Sequence, residues 1–430
     1  MPLRQILRFA GLFLTILVVS GCGKSHNSSG SAQLRFMNAL VDGGAINVTV
    51  GDNAVVSGLA FEGLTTYQNV DSGSPEFKVG IAGGTSTIID TTLSISSAPY
   101  TYLVYGTASA PTALLLSDTI STTPASGLFN LRIINAAFGT ASLDVYVTSP
   151  GAPLDTASPN ISSIAAGNVS GYVQLAPGSL QVRLTLHNSK QVVIYDAGTQ
   201  TFANQASYQI VAYTKGSGTL VNGALLTQDS TGSGTVVNSG IAQFKLIHAA
   251  PGTAGINAFV DGTNIFSNVP YQGASSYAPL TAGTHTVTVE SVAAPGAVIA
   301  TVAPPFAPAT DTSVIITGTP GAQTAIALAD NNLPGTTGTV RVRFVNVATD
   351  VGPVDVLVNF AKKVSNLPAL APSDYVALVY DTYAINFNLA GTTTSVLALP
   401  AEVLTTGQSY TLYLVGSTGI GYAGVLTRDD

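Results

Sequence analysis

Arg35-Phe36-Met37-Asn38-Ala39, followed by Ile46-Asn47-Val48-Thr49-Val50, decides the fold, because the chain returns to this pattern three more times. Its first half reads as a basic residue, two apolar residues, a polar one and a small one. It recurs as Arg132-Ile133-Ile134-Asn135-Ala136, Lys245-Leu246-Ile247-His248-Ala249 and Arg343-Phe344-Val345-Asn346-Val347. Twelve residues past each basic position stands Asn47, Asp144, Asn257 or Asp355. Those residues lie in segments 46–50, 143–147, 256–260 and 354–358, which share the order apolar, Asn/Asp, apolar, any, Val. Such alternation marks strands with one buried face. A hairpin folded about residue 41 would set Arg35 opposite Asn47 and Phe36 opposite Ile46, polar on polar and apolar on apolar.

Further landmarks recur in the same order. Tyr67, Tyr172, Tyr277 and Tyr375 follow Ser/Thr/Gly-rich steps, and each precedes an apolar residue by three positions: Val70, Leu175, Leu280 and Leu378. A strand entered by Tyr100, Tyr208 or Tyr410 comes next, with Thr312 in the third copy. Each copy closes on an aspartate after an apolar strand: Asp118, Asp229, Asp330 and Asp429. Short segments rich in Val, Ile, Thr and Tyr, cut by Gly, Pro, Asn and Ser, predict an all-β chain. The division is a signal peptide at 1–21, a lipidated cysteine and polar tether at 22–33, and β-sandwich repeats at 34–118, 129–229, 243–330 and 340–430.

Units of this length with seven or eight strands point to immunoglobulin-like β-sandwiches, large enough to bury a core without disulfides. The tyrosine entering the penultimate strand then takes the part of a tyrosine corner. The connectors 229–240 and 330–339 have the composition of flexible linkers. The expectation is therefore of discrete domains in an extended array, at about 40 Å each and roughly 150 Å in all.

The opening pattern, the strands INVTV, LDVYV, INAFV and VDVLV, and the YTLYLVG-like strand resemble the family described as domain of unknown function 4397. The resemblance covers most of the chain after residue 33. It implies tandem repeats in secreted or lipid-anchored bacterial proteins and assigns no activity. The third copy departs most from the pattern, with Lys245, His248 and Thr312 at marked positions.

At the N-terminus, Arg4 and Arg8 precede an apolar run, 9–19, that ends in Val19-Ser20-Gly21-Cys22. These are the parts of a lipoprotein signal: Val19, Ser20 and Gly21 are the signal-peptidase recognition residues, and Cys22 carries the lipid. The competing reading, a plain secretory signal or membrane helix, fits less well because the run is too short to span comfortably. Gly23, rather than Asp, favours the outer membrane by resemblance to the enterobacterial sorting rule. Removing Arg4 and Arg8 takes the formal charge from −7 to −9 and leaves 13 basic residues, which argues against nucleic-acid binding. Mean hydropathy is +0.39, yet no second long apolar run occurs.

Residues for chemistry are sparse. His26, His187, His248 and His285 are scattered, without the close spacing of a zinc site. His248 replaces the Asn of the other copies and reads as a hydrogen-bonding strand end, and His285 as solvent-facing. Neither a nucleophile elbow nor a phosphate loop is present. The acids recur once per copy, unlike a catalytic pair, and Asp118, Asp229 and Asp330 read as turn caps rather than calcium ligands at domain junctions. The repeated tyrosines suit core packing better than a sugar platform, and Lys362-Lys363 a solvated strand end. The expectation is a non-enzymatic, lipid-anchored envelope protein with no cofactor and no metal, displaying domains for adhesion to a polysaccharide or protein partner. The 150–168 insertion is the candidate contact loop. A structural spacer or scaffold is the alternative, an envelope hydrolase the remote one.

Overall fold

A computed structural model describes residues 30–120, 123–216, 219–335, 338–348 and 350–429. Val19, Ser20, Gly21 and Cys22 lie outside the described residues, so the signal and lipidation site are expectations from sequence alone. Regular structure among the described residues is entirely strand, and no helix is long and apolar enough to cross a membrane.

In the first repeat the strands are β1 (Ser31–Leu40), β2 (Ile46–Val50), β3 (Asn53–Leu59), β4 (Gln68–Asp71), β5 (Glu76–Ile81), β6 (Thr87–Thr92), β7 (Pro99–Thr107) and β8 (Ala110–Ser117). They form two sheets, ordered β4-β1-β7-β8 and β3-β2-β5-β6. Leu34 and Phe36 of β1, Val48 of β2, Val79 of β5 and Tyr102 of β7 fill the space between. Both orders recur in all four repeats. In the second, a fifth strand, Gly234–Val237, extends the first sheet.

β1 runs parallel to β7 and antiparallel to β4, so it does not form a hairpin with β2. The residue beside Arg35 is Thr101, and the expected pairing with Asn47 does not occur. The fourth residue of the opening motif explains the difference, because its side chain folds a corner between the sheets. Asn38 Nδ2 donates to the Gly44 and Leu59 carbonyls at 2.9 Å each, while its Oδ1 accepts from Leu40 N. Asn135 and Asn346 make equivalent bonds. His248 reproduces them, with Nε2 3.0 Å from the Ala254 carbonyl and Nδ1 accepting from Ala250 N. An immunoglobulin sheet seats its first strand beside its second. Here β1 lies between β4 and β7, so the two-sheet sandwich forms without the immunoglobulin strand order.

The second motif half has an equally local task. Asn47, Asp144, Asn257 and Asp355 accept from the backbone N–H of Gly58, Ser163, Asn268 and Asn366 at 2.8 to 2.9 Å. Each donor residue has φ between 53° and 66°, and the register of the strand pair shifts nearby. A side-chain acceptor thus pins a bulge that regular pairing would leave unsatisfied. The tyrosine corner is present as expected. The hydroxyls of Tyr100, Tyr208 and Tyr410 tie down backbone N–H groups four or five residues upstream, at Ser96, Ala203 and Thr405.

The repeats are not separate beads. Met37, Ala39, Leu103 and Tyr105, on the outer face of β1 and β7, pack with Ile134, Ala136, Val211 and Tyr213 of the second repeat. Ile247, Ala249 and Ile315 meet Val345, Val347, Tyr413 and Val415 in the same way. The chain is two face-to-face pairs, and its β1 and β7 strands are buried on both sides. Their sequences show why: Phe36-Met37, Ala39-Leu40 and Tyr102-Leu103-Val104-Tyr105 are apolar at successive positions, the pattern of strands covered on both faces. The 229–240 connector is likewise ordered, since Gly234–Val237 pairs with Val221–Thr227 and the Thr231 carbonyl accepts from Tyr67 N.

Candidate functional site

The repeated polar landmarks converge where paired sheets meet. In each repeat the opening basic residue occupies an outward position on β1 or its counterpart, flanked by inward apolar residues. It reaches across the interface to the carbonyl just before the partner's closing residue. Arg35 Nη1 donates to Thr227 O at 2.9 Å, and Arg132 Nη2 to Ser117 O at 2.7 Å. Lys245 Nζ donates to Arg428 O at 2.8 Å, and Arg343 Nη1 to Ala329 O at 2.8 Å. This reciprocity is that of an isologous, two-fold contact built within one chain.

In the second pair the charges also cross reciprocally. Lys245 of the third repeat lies 2.6 Å from Asp429 of the fourth, and Arg343 of the fourth pairs with Asp330 of the third. Tyr277 donates to Asp330 at 2.5 Å and Tyr375 to Asp429 at 2.7 Å. Ser313 and Thr411 supply further donors to the same two carboxylates. Burial alone would push the Asp429 carboxyl up, but Lys245 and Arg343 outweigh it and hold it below the ordinary carboxylate value. Burial works against the Lys245 ammonium too, yet Asp429 keeps its pKa raised. The phenols of Tyr277 and Tyr375 are pushed well up, by burial first and then by the adjacent carboxylates.

The first pair has one acid for two guanidinium groups. Asp118 lies 3.2 Å from Arg35 and 3.6 Å from Arg132, and also accepts from Tyr67 at 2.8 Å, Thr101 at 2.6 Å and Gln209. Asp229, expected as the equivalent residue, is one position too late. Asp118 N bonds Pro99 O and Gln228 N bonds Ser207 O, so Gln228 holds that place and accepts from Tyr172 at 2.5 Å. Asp229 instead caps a turn through Thr231, Gly232 and Ser233. Asp118 and Asp330 are interface ion partners rather than turn caps.

The four repeated tyrosines therefore do more than fill cores. Arg35 sits over Tyr67 at 5.3 Å, Arg132 over Tyr172 at 4.9 Å, Lys245 over Tyr277 at 4.9 Å and Arg343 over Tyr375 at 5.1 Å. Each ring thus shields the cation of its own repeat with its face while its hydroxyl donates to the closing residue of that same repeat.

Other polar residues are engaged locally. His285 is half-buried rather than solvent-facing, its Nδ1 2.6 Å from Asp261 and its Nε2 near the Thr281 carbonyl. His187 pairs with Asp144 at 2.9 Å. Lys362 pairs with Asp355 at 2.5 Å. The 150–168 insertion is packed: Arg183 bonds its Ala152 carbonyl, and Lys190 bonds those of Asp155 and Ala157. Among the described residues no group of three or more His, Cys, Asp or Glu is placed to hold a metal ion.

The fold and these networks define a tandem all-β repeat protein whose recurring polar residues bind repeat to repeat. The chain belongs to the family described as Domain of unknown function (DUF4397), whose model matches residues 32–146 and 242–357, more than half of the chain. Each match runs through an odd-numbered repeat and into the first two strands of the repeat it packs against. No curated protein matches the chain. Among solved structures, the Bacillus anthracis TIE protein is similar over 90% of this chain and 69% of its own, at 10% identity and a TM-score of 0.16, too slight a likeness to carry an argument.

Proposed function

We propose that this chain is a non-enzymatic envelope protein, anchored through lipid on Cys22, whose four sandwich domains present a contact surface for a polysaccharide or protein partner. Its recurring charged residues are consumed by the interfaces, which supports a structural rather than catalytic use of them. The observation that favours binding over a spacer is an apolar tip on the fourth repeat. Phe360 is 80% exposed, with Val379, Tyr380 and Val403 each more than half exposed. They share one end of the repeat: Asn359 bonds Ala384, Val379 and Tyr380 immediately precede the strand Asp381–Leu389, and Val403 pairs with Thr382.

Phe360 sits at φ 66° in a two-residue turn whose counterparts in the first and third repeats are Gly51-Asp52 and Asp261-Gly262. A bulky residue in that region costs on the order of 1 kcal/mol, and exposed apolar clusters mark contact sites. Replacing Phe360 by Gly should therefore raise stability by about 1 kcal/mol in urea unfolding. It should also weaken retention of the chain on its own cells' surface polysaccharide or outer-membrane proteins at least tenfold. Unchanged retention would favour the spacer. Protease treatment of intact cells, with a Cys22→Ala control, tests the anchoring and the exposed face.

A further inference from the structure

Where the two pairs meet, a cavity of about 300 Å³ is walled by Phe61 and Glu62 of the first repeat, Lys215 and Leu220 of the second, and Asp311 and Leu333 at the third. Its size and mixed lining are those of a small-molecule site. Asp311 opens the third repeat's counterpart of β7 and is 1% exposed. Its Oδ2 accepts from Asn332 Nδ2, but its Oδ1 is buried without a partner. The fold does not ask for an acid here, because the corresponding residues are Pro99, Ser207 and Ser409. Ser207 and Ser409 spend their hydroxyls on Asn130 and the Leu333 carbonyl.

The other charges nearby are already matched. Across the cavity, Glu62 faces Lys215 at 3.4 Å and also accepts from Tyr213 and Asn222. Asp330, beside Asp311 in the sheet, is held by Arg343, and Lys245 is held by Asp429. Among the described residues lining this cavity, Asp311 Oδ1 is the buried side-chain oxygen without a partner, in a setting where its acidic neighbour Asp330 favours a positive group. A buried carboxyl oxygen without a partner is costly, and a ligand that supplied a donor there would offset that cost.

We propose that this cavity binds a small organic amine, its ammonium donating to Asp311 Oδ1 and its compact apolar body lying against Phe61, Leu220 and Leu333. Burial, and then the Asp330 charge, push Asp311 up to about 8. At neutral pH the empty site is therefore mostly protonated, and binding releases close to one proton. Affinity should rise about tenfold per pH unit up to about pH 8, while the amine itself stays charged to about pH 10.

The test is calorimetric titration of the full chain with n-butylamine and with n-butanol, at pH 6, 7 and 8, in two buffers of different ionisation enthalpy. The expected result is saturable butylamine binding with proton release, at least tenfold tighter than butanol. Asp311→Asn and Asp311→Ser, the residue of the second and fourth repeats, should each weaken it at least tenfold with Tm preserved. Equal binding of butanol, binding without pH dependence, undiminished binding by either folded variant, or none at 10 mM butylamine would each overturn the proposal.

Discussion

The two interfaces use one scaffold with different electrostatic solutions. Between the third and fourth repeats two cations meet two carboxylates, each cation pairing with the opposite repeat. Between the first and second, Arg35 and Arg132 share Asp118, and Gln209 and Gln228 stand where Thr411 and Asp429 stand in the fourth repeat. Backbone carbonyls and tyrosine faces are kept in both. The comparison teaches that the carbonyl and tyrosine-face contacts of each cation are held constant, whereas charge matching is adjustable.

The strongest test of that reading removes the shared acid. Asp118→Ala leaves two guanidinium groups without their carboxylate and should cost about 3 to 5 kcal/mol. Asp330→Ala should cost less, because Arg343 keeps Thr411, the Ala329 carbonyl and Asp429 at 3.9 Å. Urea unfolding of both variants decides the ranking, and equal losses would break the comparison.

Alkaline pH separates the pairs by a smaller margin. A phenol or ammonium whose pKa is raised on folding stabilises fully below its unfolded value, about 10 for both types, and loses that contribution as pH climbs through the folded one. Raised tyrosines lie in both interfaces, but only the second contains a raised lysine. Hydrogen exchange in Ile241–His248 should accelerate more between pH 9 and 11 than in Phe129–Ala136, and Lys245→Arg should remove the excess.

The smallest expected contrast is within the first pair. Tyr67→Phe loses a bond to a carboxylate, about 1.5 to 3 kcal/mol, whereas Tyr172→Phe loses one to the Gln228 amide, about 1 kcal/mol. Thermal unfolding should rank the two accordingly.

Much of the architecture was legible. Repetition at a fixed spacing located the strands, and Tyr100, Tyr208 and Tyr410 marked the corners because their hydroxyl partners are local in sequence. What failed was long-range. The spacing between Arg35 and Asn47 suggested a hairpin, since alternation within a strand does not say which strand lies beside it. Asp229 was matched to Asp118 by residue type, when position along the closing strand selects Gln228. The pairing of repeats was written in Met37, Leu103, Ile134 and Val211, apolar residues on what alternation assigned to the solvent side. The Asp311 cavity left no repeating trace, because it draws on three repeats and on one residue that breaks the pattern.

The closed outer faces of β1 and β7 have a consequence for how such chains lengthen. A lone added sandwich would carry an uncovered apolar sheet, prone to aggregation or to capture by a second molecule. Duplication in twos would avoid that hazard, so even repeat counts are the expectation for chains built this way. A relative with an odd count is expected to complete its last face by dimerising.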